Sequence, residues 1–405
     1  MAATLNLAHG GRRADLDWIR VAAFGLLIFY HVGMAFVTWD WHVKTAHPSH
    51  AIEPLMVFTN PWRLSLLFFV SGCATRYMAE RMATGALARL RLSRLGIPLL
   101  FSMLVIVPPQ SWVQVREHGY GLDYWSFYAR YLQADHHFCD AHGCLILPTW
   151  NHLWFVAYLL VYTLLLLAAL AVAPGALART AGWIAPAFRG PGALLLPAAF
   201  LIVTRFTLGP IFEETHDLVH DWYAHSVYAP MFLLGYAVAA WPPFWEAMVR
   251  YRWVALGVAL CTYAAWGSYV WAYEGDAEPT ANLRALMRLV YGVDQWAWIA
   301  AILGFGRRHI TRGGPVLDYL TQGVFPFYIA HQTIIVVTEY YLKRLGLPAI
   351  DEGALLVGVT AVGCLLTYEI ARRVRWLRPL FGLRGVSAAR RPALSAAVGA
   401  APENA

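Results

Sequence analysis

The chain has 405 residues, 59% of them hydrophobic and only 14% charged, well below the ~25% charged residues of an ordinary soluble domain. The apolar residues fall in continuous runs of about 20, long enough as helices to cross a ~30 Å hydrocarbon core, and the lack of alternation argues against a β-barrel. The formal net charge of +7 does not point to nucleic acid, because the basic residues cluster in short loops between apolar runs, as positive-inside charge does.

Residues 1–14 read as a cytoplasmic tail, followed by a first span expected over 17–38. That run is too long for a signal-peptide core and no small-residue cleavage site follows it. Within it, RVAAFGLLIFYH sets Arg20 and His31 eleven residues apart, which on a helix is ~16 Å of rise and about 20° of rotation. The two share a face, Arg20 near the cytoplasmic surface and His31 well inside. Alone, Arg20 reads as an interfacial anchor and His31 as a packing histidine. Together they suggest a polar cavity, because ionisable groups at such depth are costly. A neutral imidazole in a low-dielectric pocket is a suitable general base near neutral pH, and less commonly an acyl acceptor.

The second span, 55–77, carries FFVSG, where Ser71 and Gly72 suit close helix packing or a cavity wall. Arg76, Arg81, Arg89, Arg91 and Arg94 fill the next loop, ahead of a third span at 95–115. Arg91 and Arg94 would be neighbours on one helix face. Paired guanidiniums suit phosphate, with plain topology charge as the alternative. The following loop, DHHFCDAHGC, holds His136, His137, Cys139, His142 and Cys144. These are metal-ligand types, but two cysteines in an oxidising compartment are more simply a disulfide, and no metal is expected.

A fourth span at 151–173 opens with NHLWF, where Asn151, His152 and Trp154 are interfacial anchors or part of an acceptor site. Spans at 192–210, 225–242, 253–273 and 285–305 follow. The ninth, 318–341, buries His331 and Gln332 in FPFYIAHQT, and a tenth covers 353–371. Arg179, Arg189, Arg250, Arg252, Arg307, Arg308, Arg312 and the arginines at 372–378 alternate with loops holding Glu213, Glu214, Asp217, Asp221, Glu274, Asp276, Glu278, Asp351 and Glu352. This places both termini in the cytoplasm. The expected fold is all-α, a polytopic membrane protein of about ten helices over 15–380, with a disordered cytoplasmic tail at 381–405.

Arg20 and His31 with ten residues between them, and the Arg-x-x-Arg pair Arg91/Arg94, resemble the motifs of the membrane acyltransferase family 3. LDWIR at Leu16–Arg20, TWDWHVKTAHPS at Thr38–Ser49, FFVSG at Phe68–Gly72, RLGIPLL at Arg94–Leu100, HLWF at His152–Phe155 and, loosely, FYIAHQ at Phe327–Gln332 are similar to a branch that modifies glucans. The resemblance spans about residues 14–380. It implies O-acyl transfer from cytoplasmic acyl-CoA to a carbohydrate across a bacterial inner membrane, with O-succinylation of periplasmic glucans implied by the branch. It assigns His31 as the catalytic histidine and Arg20, Arg91 and Arg94 to donor use. The co-substrate is succinyl-CoA or acetyl-CoA, no cofactor is permanently bound, and the partners are donor, glycan acceptor and membrane lipid. The rival reading is a transporter or flippase of a glycan or lipid-linked sugar, without acyl-transfer chemistry. Against it stands the lack of an internal repeat of the kind that marks many transporters.

Overall fold

The computed structural model describes residues 13–384 apart from 141–142 and 274–276. His142, Glu274, Asp276, most of the N-terminal tail and nearly all of the C-terminal tail therefore lie outside the described residues. The elements are α1 (Ala14–Met34), α2 (Glu53–Thr59), α3 (Arg63–Ala79), α4 (Thr84–Arg91), α5 (Ile97–Phe101), α6 (Pro108–Glu117), α7 (Tyr124–Leu132), α8 (Trp154–Val172), α9 (Pro174–Ile184) and α10 (Gly192–Thr207). They continue with α11 (Trp222–Val238), α12 (Pro242–Ala272), α13 (Ala281–His309), α14 (Pro315–Leu342), α15 (Ala349–Arg373) and α16 (Leu377–Leu380).

Seven helices among the described residues are long and apolar enough to cross a membrane, or up to eight if the bent pair Pro174–Phe188 and Gly192–Thr207 is one span. The other predicted segments also form helices, but α3, α10 and α11 have only 17, 16 and 17 residues. One expected loop is absent. Thr84–Glu117 runs as a single helical stretch of 34 residues, with Arg89, Arg91 and Arg94 inside it.

Two wide turns interrupt that stretch, π-helical at Leu92–Gly96 and Ser102–Ile106. Pro98 and Pro108 stand just beyond them and lack the N–H that would bond back four residues. The carbonyls left over are taken by side chains. Tyr128 Oη donates to the Leu104 carbonyl at 2.9 Å, Tyr131 Oη to Met103 at 2.7 Å and Thr333 Oγ1 to Ile106 at 2.7 Å. The last contact ties this helix to α14.

α1 is central, packing against α3, α13, α14 and α15. It starts and ends a few residues earlier than its hydropathy suggests. Asp15 and Asp17 occupy its first turn, where the helix dipole favours acids. Beyond Met34 the chain leaves the helix as a strap over 35–52. Lys44 Nζ donates to the Met34 and Val37 carbonyls at 2.7 and 2.8 Å, Thr45 N to the Ala35 carbonyl at 3.0 Å, and Thr38 N to Glu53 Oε1 at 3.1 Å.

α3 and α11 meet at a pair of reciprocal glycines. A Cβ on Gly72 would collide with the Phe232 carbonyl, and one on Gly235 with the Phe69 carbonyl. FFVSG is thus a close-packing motif, as expected where lipid offers helices no hydrophobic drive to associate. Gly72→Val should destabilise the detergent-solubilised protein by about 1–3 kcal/mol or abolish its accumulation. Gly25→Ala, where a Cβ meets nothing within 4 Å, should be nearly neutral in the same melting experiment.

Cys139–Asp140 pairs antiparallel with Gly143–Cys144, and Cys139 and Cys144 are joined by a disulfide. Tyr120 Oη donates to the Cys139 carbonyl at 3.2 Å and accepts from the Cys139 N–H at 3.1 Å, so an aromatic side chain anchors the loop.

Candidate active site

α1 ends three residues beyond His31, so the imidazole sits in the last turn of the helix. The strap closes over it, with Trp41 nearly parallel to its ring at 6.5 Å between centroids. α14 supplies its partner: His31 Nδ1 and His331 Nε2 are 2.7 Å apart. The two rings are inclined by only 15°, with centroids 5.0 Å apart, the spacing of imidazoles meeting nitrogen to nitrogen in line rather than face to face.

The protons in this pair follow from what each nitrogen faces. His331 Nδ1 lies 2.6 Å from the Tyr328 carbonyl, which can only accept, so Nδ1 carries the hydrogen. In neutral His331, Nε2 is then the acceptor. His31 Nδ1 must donate to it, which leaves His31 Nε2 unprotonated. No hydrogen bond to that nitrogen is present among the described residues. The arrangement presents one bare imidazole nitrogen, its tautomer set by a second histidine whose own tautomer is set by the backbone.

A polar shell surrounds the pair. His152 Nε2 lies 3.2 Å from both the Tyr328 and Ile329 carbonyls and so donates there. Its ring stands perpendicular to His331 at 5.1 Å. Gln332 Nε2 reaches His42 Nε2 at 3.1 Å, Gln110 Oε1 at 3.2 Å and Asn151 Oδ1 at 3.3 Å. Gln110, on the helix shaped by the second wide turn, donates to Thr333 Oγ1 at 2.5 Å. His42 reaches Gln114 Oε1 through Nδ1 at 2.8 Å. Burial holds the His42 imidazole below the ordinary histidine range, and its Nε2 also lies 3.0 Å from Asn151 Oδ1.

Four predicted polar residues, Asn151, His152, His331 and Gln332, therefore converge on His31. Trp154 and Ser71 do not. Trp154 is buried rather than interfacial, stacked on His216 with centroids 4.1 Å apart. Ser71 lies midway along α3, its carbonyl accepting from Thr75 Oγ1 at 2.8 Å. Three site residues were not anticipated from the sequence: His42 and Gln110, just described, and Arg63. Arg63 opens α3 and lies over the Tyr30 ring at 4.0 Å. The signal for it was present, a guanidinium inside an apolar run.

Toward the other end of α1 lies a cluster of guanidiniums. Arg91 stands within electrostatic range of Arg20 and Arg94. Arg91 Nη2 donates to Thr75 Oγ1 at 2.7 Å, its Nε is buried without a partner among the described residues, and Arg20 Nη2 bonds Asp17 Oδ1 at 3.1 Å. Such a grouping repels itself until an anion is added. Between the cluster and the histidines, Phe24 packs edge-on against Phe155 and Tyr328, at 6.1 and 5.2 Å between centroids.

Residues 13–369 match the family model described as an acyltransferase domain, the acyltransferase 3 family. Among curated proteins the chain is similar to glucans biosynthesis protein C of Escherichia coli O1:K1 / APEC and of Escherichia coli O139:H28 (strain E24377A / ETEC). Each is 26% identical over 161 residues, 40% of this chain. The match spans 40% of the length of those relatives. No solved structure matches.

Proposed function

Because the chain belongs to the acyltransferase 3 family, we propose that it moves an acyl group, succinyl or acetyl, from cytoplasmic acyl-CoA to a hydroxyl of a periplasmic or other envelope glucan. It would do so in a bacterial inner membrane, spanning it about ten times with both termini in the cytoplasm. The observation that carries this reading is the pairing of two sites on one helix face. Arg20, Arg91 and Arg94 form a cationic seat for the polyanionic head of CoA, and ~16 Å along α1 His31 offers a bare nitrogen. An extended pantetheine arm would join them, passing the Phe24 layer.

In the reaction, His31 Nε2 takes the proton of the acceptor hydroxyl as its oxygen attacks the thioester carbon. The C–O bond forms, the C–S bond breaks, and the proton returns from His31 to the thiolate. No proton is gained or lost overall, so one neutral histidine suffices as base and then acid.

Purified protein given acyl-CoA and glucan should release free thiol and acylated glucan, read by thiol titration and mass spectrometry. A protein that carries glycan across vesicles but consumes no thioester would refute the reading. The donor seat has its own test. Replacing Arg91 or Arg94 with alanine removes a charge-assisted contact of about 1.5–3 kcal/mol, so the KM for acyl-CoA should rise roughly ten- to a hundred-fold. The KM for glucan should stay put. An unchanged donor KM in the double variant would leave these arginines with a role in topology only.

A further inference from the structure

Arg63 is 2% exposed and is not neutralised. Its Nη1 donates to Thr59 Oγ1 at 2.7 Å, its guanidinium faces the Tyr30 ring, and its Nε has no partner among the described residues. The groups around it are the phenols of Tyr30, Tyr228 and Tyr291, which are uncharged near pH 7. The neighbouring carboxylate, Glu214, accepts from Tyr228 Oη at 3.0 Å and lies in the field of a second guanidinium, Arg205. Arg205 is itself held by Tyr223 at 2.9 Å and faces the Tyr291 ring at 4.0 Å. Among the described residues no carboxylate is bonded to Arg63, and in a water-poor interior an uncompensated charge costs several kcal/mol.

Arg63 lies within electrostatic range of His31, and the Tyr30 ring that it faces has its centroid 5.9 Å from that of the His31 ring. An anion is wanted here. The phosphates of the donor belong to the arginines at the other end of α1, and glucan hydroxyls are neutral. What remains to bring negative charge to this spot is the transferred acyl group. Resting on the reading that an acyl thioester reaches His31, we propose that Arg63 is the residue that sets acyl specificity. Its guanidinium takes a free carboxylate at the distal end of a dicarboxylic acyl group. The selection has two sides. A distal carboxylate gains charge-assisted bonds, while a short neutral acyl group leaves the guanidinium buried and unpaired, which counts against it. The distal carboxylate is not altered in the transfer.

The test is the ratio of kcat/KM for succinyl-CoA to that for acetyl-CoA, measured by thiol release with glucan present on the full-length protein. The native ratio should favour succinyl-CoA, and Arg63→Gln should lower it roughly ten- to a hundred-fold. Arg63→Lys, which keeps the charge but loses the planar fork, should fall between and serves where the glutamine variant does not accumulate. Equal losses with both donors, or a change confined to the KM for glucan, would overturn the assignment. So would a native preference for acetyl-CoA, which leaves the acyltransferase reading intact. That reading fails separately, when the native protein releases thiol from neither donor.

Discussion

His31→Ala should lower acyl transfer by about 10²–10⁴-fold, the usual cost of losing a general base, with acyl-CoA binding and melting temperature close to native. The arginine cluster lies ~16 Å away along α1, so under the proposed reaction donor affinity is insulated from the change. His31→Gln separates chemistry from structure. Its amide can still donate to His331 Nε2, so packing and hydrogen bonding survive, but an amide cannot take a proton at neutral pH. The expected result is an inactive protein that binds donor and melts normally. Turnover by the glutamine variant within a few-fold of native would remove His31 as the base. The substrate would then have to be activated elsewhere in the polar shell, with His152 next in line.

The relation between Arg20 and His31 was legible because helical periodicity converts spacing directly into a shared face. Their places along the helix were not. Hydropathy alone places α1 a few residues too late, since Asp15 and Asp17 look like flanking charge but form the first helical turn. The residues after Met34 look like the tail of an apolar run but form the strap. Arg91 and Arg94 were recognisable as a pair, though not their continuous helix, because basic residues before an apolar run resemble a loop. His331 could be singled out as polar within a span. Its partnership with His31, 300 residues earlier, carries no local signature, because it depends on how α1 and α14 pack. Gln110 illustrates the same limit. Its place follows from a wide turn that Pro108 induces and that the hydroxyls of Tyr128 and Thr333 complete, contacts from two other parts of the chain. Arg63 was overlooked for a different reason. It was absorbed into an apolar run, when its cost in that setting was the better clue.

His331→Phe should cost about 10²–10⁴-fold in kcat, the size of effect seen when a histidine base loses the partner that fixes its tautomer. Phenylalanine keeps the ring's bulk against His152 and Tyr328 but offers no acceptor. His31 could then place its hydrogen on Nε2 and turn its bare nitrogen away from the substrate. The KM values should change little, since neither substrate is read by His331. His331→Gln is the informative companion. Its carbonyl oxygen can accept from His31 Nδ1 while its NH₂ donates to the Tyr328 carbonyl, reproducing both bonds of the native imidazole without a titratable group. In the proposed reaction the hydroxyl proton ends on the departing sulfur, so His331 has only to orient His31 and never to carry charge. Glutamine should therefore retain activity within about ten-fold of native, and the pH–rate profile should keep its shape. A glutamine variant as inactive as the phenylalanine one, at unchanged stability, would mean that the proton passes on to His331. The two histidines would then have to be treated as a single titrating unit.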